Sequence, residues 1–535
     1  MTVSTLDVAP RPATVGRGAA SNAETSAPRY SAVGQALKRA GQPGYFAWLE
    51  HVRPAAGCTR PIRLHGEVLT VDAATGQLLS AVRTADLPDG IIYKACGNRR
   101  SSVCPSCAHT YQRDAYHLLR AGLAGGKGIP ETVTRHPAVF VTFTAPSFGP
   151  VHTRYVRRHT CQDRRRCDCR PEPCHPRRDA DTCSHGRPMV CWSRHEPEDK
   201  LLGQPLCLDC YDHAHQVVWN LHAGQLWHRT KQAIQRHLAH LARQRGIPAV
   251  TVVTETGKVR RIPPVRVAHA KVAEFQARGA VHFHVLLRLD GIDPAHADRL
   301  VPPPAGITAT DLDTAIRHAA THVSFHTPTH PAQPEGWLIA WGEQIDIRPI
   351  TLSGHDGITD RTVAGYLAKY ATKSTEATGH TSTRITADTI SDYANPDGNH
   401  TARLIDACWT LGHPRPWRGL RRWTHMLGYG GHFLTKARRW SITFQLLRDI
   451  RTIHRRHEHP PHSQPATLRA IDHDQRDTTL LVGVLTFAGA GWRTLGDALL
   501  ANTAAALARE RHAIAREELT HELTTTARAS TVLAA

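Results

Sequence analysis

No stretch of the 535 residues is apolar for long enough to cross a bilayer. The longest apolar run, Leu480–Trp492, has 13 residues, against the ~20 that a spanning helix takes. The opening residues, Met-Thr-Val-Ser-Thr-Leu-Asp, lack a basic segment followed by an apolar one. Neither a signal peptide nor a membrane partner is therefore expected, and the chain reads as cytoplasmic. No G-x-x-x-x-G-K-S/T segment is present, which argues against a nucleotide-driven motor. No glutamate accompanies a cysteine pair in the H-x-E…P-C-x-x-C arrangement of zinc deaminases. Lysine is scarce: only 10 of the 66 basic residues. Arginine abundance of that kind also follows from a GC-rich genome. The formal charge of +20 therefore points to a polyanionic partner chiefly where the charge is clustered.

Cysteine, by contrast, is plentiful, with 13 residues. In a reducing compartment, clustered cysteines hold metals more often than they form disulfides. Cys104-x-x-Cys107 has zinc-knuckle spacing, and Cys58 and Cys96 complete four thiolates. Cys207-x-x-Cys210 forms a second pair, completed by Cys183 and Cys191, with His195 as a substitute ligand. Cys161, Cys167, Cys169 and Cys174 are left open between a further zinc and spare thiols. Cys408 reads as a buried reduced cysteine. The expected role of zinc is structural.

The chain divides into a weakly ordered tail (1–50), a cysteine-rich segment (51–135), a core (136–375) with a cysteine-rich insertion (161–212), a basic aromatic segment (376–450), and a linker with a C-terminal helix (451–535). Ala138–Ala145 reads as a buried strand ending at Pro146, and Val265–Leu289 as two strands about a turn near Arg278. His213–Arg245 and Val363–Ser374 read as helices. Strands with helices between them imply an α+β fold.

Within the second of those strands, Val281-His282-Phe283-His284-Val285 alternates, so His282 and His284 share a face. A three-residue turn centred on Arg278 sets Glu274 across from His282. Two imidazoles and a carboxylate form a plausible site for Mg²⁺ or Mn²⁺. Gln276 and His152 are alternative third ligands. Further on, Tyr366 and Tyr370 lie four apart, one helical face, with Lys369 and Lys373 as a second i,i+4 pair beside them. A polarised phosphate and nearby lysines would make a phenol a competent nucleophile.

Either motif alone is weak. Together, His-x-His on a strand and Tyr-x-x-Lys-Tyr on a later helix resemble the HUH endonuclease superfamily. The wider sequence resembles rolling-circle replication initiators of actinobacterial plasmids, through segments 96–107, 140–152, 205–212, 274–284 and 366–370. The resemblance spans roughly 55 to 440. It implies an antiparallel HUH/RRM-like palm flanked by helices, with zinc-binding insertions and a helical C-terminal region. It also implies His282 and His284 as metal ligands, Tyr366 or Tyr370 as nucleophile, and Lys369 as the lysine beside the phosphate. The implied reaction nicks origin DNA, leaving a 5′-phosphotyrosine link and a free 3′-hydroxyl. Origin DNA, single-stranded or melted, is then the partner, together with a host helicase and polymerase. A relaxase or transposase of the same chemistry, and a non-enzymatic zinc-dependent DNA-binding regulator, are the alternatives.

Residues 407–448 contain no acidic residue. They carry Arg415, Arg418, Arg421, Arg422, Lys436, Arg438, Arg439 and Arg448 among seven aromatics, Trp409, Trp417, Trp423, Tyr429, Phe433, Trp440 and Phe444. Cations neutralise phosphates and aromatic faces stack on unpaired bases, so Arg418, Arg421, Arg422, Lys436, Arg438 and Arg439 are expected to contact DNA.

Overall fold

The computed structural model describes residues 31–156, 170–176, 182–253, 256–296, 298–350, 359–373, 375–378, 383–458 and 479–533. Helices and antiparallel sheets are mixed along the chain. The first strands are β1 (Ile62–Asp72), β2 (Leu78–Arg83), β3 (Ile92–Lys94) and β4 (Ala138–Phe143). Then come β5 (Val265–Phe275), β6 (Val281–Gly291), β7 (Ile345–Pro349), β8 (Leu434–Lys436) and β9 (Thr479–Ala490). The main helices are α1 (Ala32–Ala40), α2 (Tyr45–Val52), α3 (Pro105–Ala124), α4 (His213–Gln244), α5 (Ala309–His322), α6 (Asp360–Tyr370), α7 (His400–Leu411), α8 (Phe444–Glu458) and α9 (Leu495–Leu533).

The central sheet has the order β7-β4-β6-β5-β8, every neighbour antiparallel. Its long strands are rich in Val, Phe and Leu, the residues that fill a pleated surface. Successive side chains point to opposite faces, and both faces are covered. Val139, Val141, Phe143, Phe283, Val285 and Leu287 pack with α4, α5 and α7. Phe140, Ala270, Val272 and Leu286 pack with Leu119 of α3, Leu367 of α6 and Trp440. Side chains cap the helices where the chain leaves the sheet. Thr308 and Asp311 form a capping box on α5, and Thr359 accepts from the Thr362 amide at the start of α6. Each satisfies a donor that the first turn leaves unpaired.

Trp440 explains a glycine in mid-helix. A Cβ on Gly122 of α3 would lie 2.3 Å from Trp440 Cε2, and Trp440 is fully buried. Helix propensity alone would favour alanine there by ~1 kcal/mol. We expect Gly122→Ala to destabilise the fold by ~1–3 kcal/mol, the cost of overpacking, read as a lower denaturation midpoint. A midpoint that rises instead would show that the indole has room to shift.

A second sheet runs β9-β1-β2, with β3 also paired to β1. Strands β1 and β9 align from Ile62 against Ala490 to Asp72 against Thr479. This corrects two expected boundaries. Residues 31–50 hold α1 and most of α2 rather than belonging to a weakly ordered tail. The region after 450 contributes a full strand before its helix. Arg39 of α1 donates to Asp497 of α9 at 2.8 Å, and Trp48, Val52, Tyr93 and Ala501 share a small core. Residues 31–94 and 479–501 thus form one unit. No local pattern carries that pairing, because the partner strands lie some four hundred residues apart.

Candidate metal centre and tyrosine pair

The turn between β5 and β6 closes with the Gln276 amide on Ala280 O at 2.9 Å. Gly279 adopts a φ of +79°, a conformation that favours glycine. The register that follows sets Glu274 opposite His282 and Val272 opposite His284. On the other side of β6, Thr142 of β4 lies opposite His284. All these side chains face α6.

Glu274 Oε2 lies 3.0 Å from His282 Nε2 and 3.0 Å from His284 Nε2. Thr142 Oγ1 is 3.0 Å from His284 Nδ1. A hydroxyl both donates and accepts, so it holds this ring in place in either tautomer. Burial pushes the His284 imidazole below its ordinary value, outweighing the raising effect of Glu274. Burial would raise the Glu274 carboxyl, but hydrogen bonds from the two imidazoles hold it below the usual carboxylate range. A carboxylate and a neutral imidazole are the ligating forms. The three donor atoms lie within 4.8 Å of one another, so the set fits one divalent cation with positions left for other oxygens. Of the alternative third ligands, Gln276 accepts from Arg278 Nε and His152 sits in a cysteine cluster.

Helix α6 brings both tyrosines over this centre. Their ring centroids are 4.4 Å apart, and lie 5.3 Å (Tyr366) and 5.7 Å (Tyr370) from the His284 ring. Tyr366 is 40% exposed, enough for a nucleic-acid strand to reach it. Burial, then Tyr370 and Glu274, push the Tyr366 phenol above its ordinary value; burial and Glu274 raise Tyr370. Both are neutral phenols at neutral pH. Lys373 Nζ lies 3.9 Å from Glu274 Oε1 and 4.4 Å from the Tyr370 ring centre. Lys369 is exposed and makes no ion pair among the described residues.

Two positioning contacts were not readable in advance. Arg99 donates to Ala371 O at 3.1 Å and Lys373 O at 2.6 Å, capping the end of α6. Its guanidinium also lies 3.6 Å from the Phe433 ring centre. At the other end of the helix, Arg120 of α3 pairs with Asp360 at 2.9 Å. The only signal for Arg99 is its place between Cys96 and Cys104.

Those cysteines form a compact set. Cys58, Cys96, Cys104 and Cys107 bring their sulfurs together, with Cys96–Cys107 at 3.7 Å and Cys58–Cys104 at 3.8 Å. Four sulfurs ~2.3 Å from a tetrahedral zinc are ~3.8 Å apart. Cys183, Cys207 and Cys210 gather with His185, whose Nδ1 is 3.2 Å from Cys210 Sγ. Cys191, expected as the fourth member, is elsewhere: its backbone pairs with His175, which carries its thiol to Cys174. His195 lies there too. Cys161, Cys167 and Cys169 fall outside the described residues. Cys408 is buried in α7, and burial pushes its thiol up.

Residues 44–506 match the family described as replication initiator protein, pSAM2 (RepSA). A replication initiator protein of Streptomyces ambofaciens is 40% identical over 500 residues, 92% of this chain and 96% of that relative. The chain belongs to this replication initiator family. No solved structure matches it, and no helix among the described residues is long and apolar enough to cross a membrane.

The basic aromatic segment is more packed than its composition suggests. Trp417, Tyr429, Phe433 and Trp440 are buried, so they build the core and cannot stack on bases. Arg421 donates to Trp409 O at 2.9 Å, Lys436 to Ser441 O at 2.5 Å, and Arg439 to Asp298 at 2.5 Å. Arg418, Arg422 and Arg438 stay exposed. Aromatic density marks a packed segment as readily as a stacking platform, and here packing accounts for most of it.

Proposed function

We propose that the chain starts plasmid replication by nicking its origin through a tyrosine nucleophile of the HUH type. The observation that carries this reading is the convergence of Glu274, His282 and His284 with Tyr366 and Tyr370 on one face of one sheet. The central antiparallel sheet with helices on both faces is, on this reading, the HUH/RRM-like palm. A Mg²⁺ or Mn²⁺ ion held by the triad would polarise the scissile phosphate. The phenol oxygen of one tyrosine gives up its proton and forms a bond to phosphorus, and the bond from phosphorus to the 3′ oxygen breaks. That oxygen takes a proton and becomes a free 3′-hydroxyl, while the 5′-phosphate stays on tyrosine. Lys373, rather than Lys369, is the cation closest to this chemistry. The second phenol is placed to repeat the reaction and rejoin the strand.

The free 3′-hydroxyl would be extended by a host polymerase, and a host helicase would unwind the duplex. The work is done in the cytoplasm, where plasmids reside. Cys58, Cys96, Cys104 and Cys107 would hold a structural Zn²⁺ that stiffens the loop carrying Arg99, and so α6; Cys183, His185, Cys207 and Cys210 would hold a second. The family match favours an initiator over a relaxase or transposase, and the convergence favours an enzyme over a purely DNA-binding regulator.

The test uses an origin-derived single strand, Mn²⁺ and the full chain. A 3′-labelled strand should carry its label into a protein adduct that survives a denaturing gel. A 5′-labelled strand should release a fragment that a polymerase extends. Bound DNA without any adduct would exclude the tyrosine reading.

A further inference from the structure

We propose that His152, Cys174, Cys191 and His195 form a third zinc site, one that staples the cysteine-rich insertion onto the turn between β5 and β6. The site does not depend on the nicking chemistry. Its donors come from three separate stretches of chain, yet their ligating atoms all lie within 4.8 Å of one another. His152 Nδ1 is 3.2 Å from His195 Nε2, Cys191 Sγ is 3.6 Å from His195 Nε2, and Cys174 Sγ is 3.9 Å from His152 Nδ1. Bonds of ~2.0–2.1 Å to nitrogen and ~2.3 Å to sulfur put tetrahedral neighbours ~3.3–3.8 Å apart. Two nitrogens and two sulfurs at these separations suit zinc.

A second, independent observation concerns the far side of one ring. Asp199 Oδ2 lies 2.7 Å from His195 Nδ1. With Nδ1–H donating to the carboxylate, Nε2 keeps a bare lone pair aimed into the cluster. A carboxylate behind a ligating histidine is the usual outer partner of a zinc site. The His195 side chain is completely buried, and the Thr153 amide donates to Cys174 Sγ at 3.1 Å. Such a contact stabilises a thiolate.

The fold shows what the site would hold. The His152 backbone pairs with Gly203 and Gln204, Gly203 N donating to His152 O at 2.9 Å and His152 N to Gln204 O at 2.8 Å. Gly203, at φ +80°, lies so close to the turn that a Cβ would be 2.5 Å from Ala277 C and Arg278 N. Arg278 in turn donates to Ala145 O at 3.1 Å and Pro146 O at 3.0 Å. The stapled segment therefore presses on the turn that sets Glu274 against His282.

Zinc counting on the purified full chain tests this. Three zinc ions per chain are expected. Cys174→Ser with Cys191→Ser should remove one ion, and Cys183→Ser with Cys210→Ser should remove a different one. In the cobalt-substituted protein, the first pair should delete the weaker sulfur-to-metal absorption of a two-sulfur site. Should that pair fail to fold, Asp199→Asn keeps all four donors and should release one zinc to a chelator about tenfold faster. A wild-type chain holding no more than the two ions of the other clusters overturns the proposal. So does a folded Cys174/Cys191 double variant with undiminished zinc, or an Asp199→Asn variant with unchanged release.

Discussion

Tyr366→Phe combined with Tyr370→Phe is expected to abolish the covalent DNA adduct, a loss on the order of 10³-fold or more, with DNA binding retained. Both phenol rings lie beside His284, at 5.3 and 5.7 Å between ring centres, so on the proposed mechanism each single variant should keep part of the activity. Phenylalanine preserves ring packing against Phe140 and His284, where Tyr366 lies 6.0 and 5.3 Å away between ring centres. Helix α6 should therefore stay in place. Changing His284 to alanine attacks the same reaction from the cation side. It should raise the barrier to nicking by several kcal/mol, lowering the rate on the order of 10²–10⁴-fold, and leave affinity nearly unchanged. An adduct formed equally well by the double phenylalanine variant would remove these tyrosines from the chemistry. Equal losses of binding and cleavage in His284→Ala would assign that residue to folding.

The largest stability effect is expected at the other end of β6. Arg288 and Asp290 are wholly buried there. The guanidinium donates to both Asp290 oxygens, at 2.7 and 2.9 Å, and to the Gly122 and Arg439 carbonyls. His136 Nδ1 lies 2.7 Å from the same carboxylate. Asp290→Ala leaves a buried cation without its counter-charge, a change worth ~3–5 kcal/mol against a total stability of ~5–15 kcal/mol. Replacing both partners, Arg288→Met with Asp290→Leu, should cost less than Asp290→Ala alone, because no charge is stranded. Denaturant midpoints of the three chains decide it, and a double variant weaker than the single would contradict the charge argument. The pair also has a pH signature. Burial raises the Asp290 carboxyl, but hydrogen bonds from His136 and Arg288 prevail and hold it below its ordinary value. A depressed folded-state pKa contributes fully above the unfolded value of ~3.9 and is lost as pH falls below it.

Much of the candidate site lay in short-range pattern. Strand alternation placed Glu274, His282 and His284 on one face, and helical spacing placed Tyr366 beside Tyr370. The three-residue turn at Arg278 linked the first two through register. Each of these relations spans ten residues or fewer, a distance over which backbone geometry alone decides neighbours. The Cys104–Cys107 pair belongs with them.

Other assignments required the packed chain. Lys373 rather than Lys369 approaches Glu274, because the end of α6 is turned and capped by Arg99. His185 rather than Cys191 joins Cys183, because the insertion pairs Cys191 with a different stretch. Trp417 and Trp440 are core, because one packs against Trp337 and α4 and the other against α3 and the central sheet. Strand β9 finds β1 across most of the chain. Sequence determined which residues share a face within an element, since that follows from fixed backbone periods. Tertiary structure decided which elements meet, since contact between distant segments depends on the burial and fit of the whole chain, and no local period encodes that.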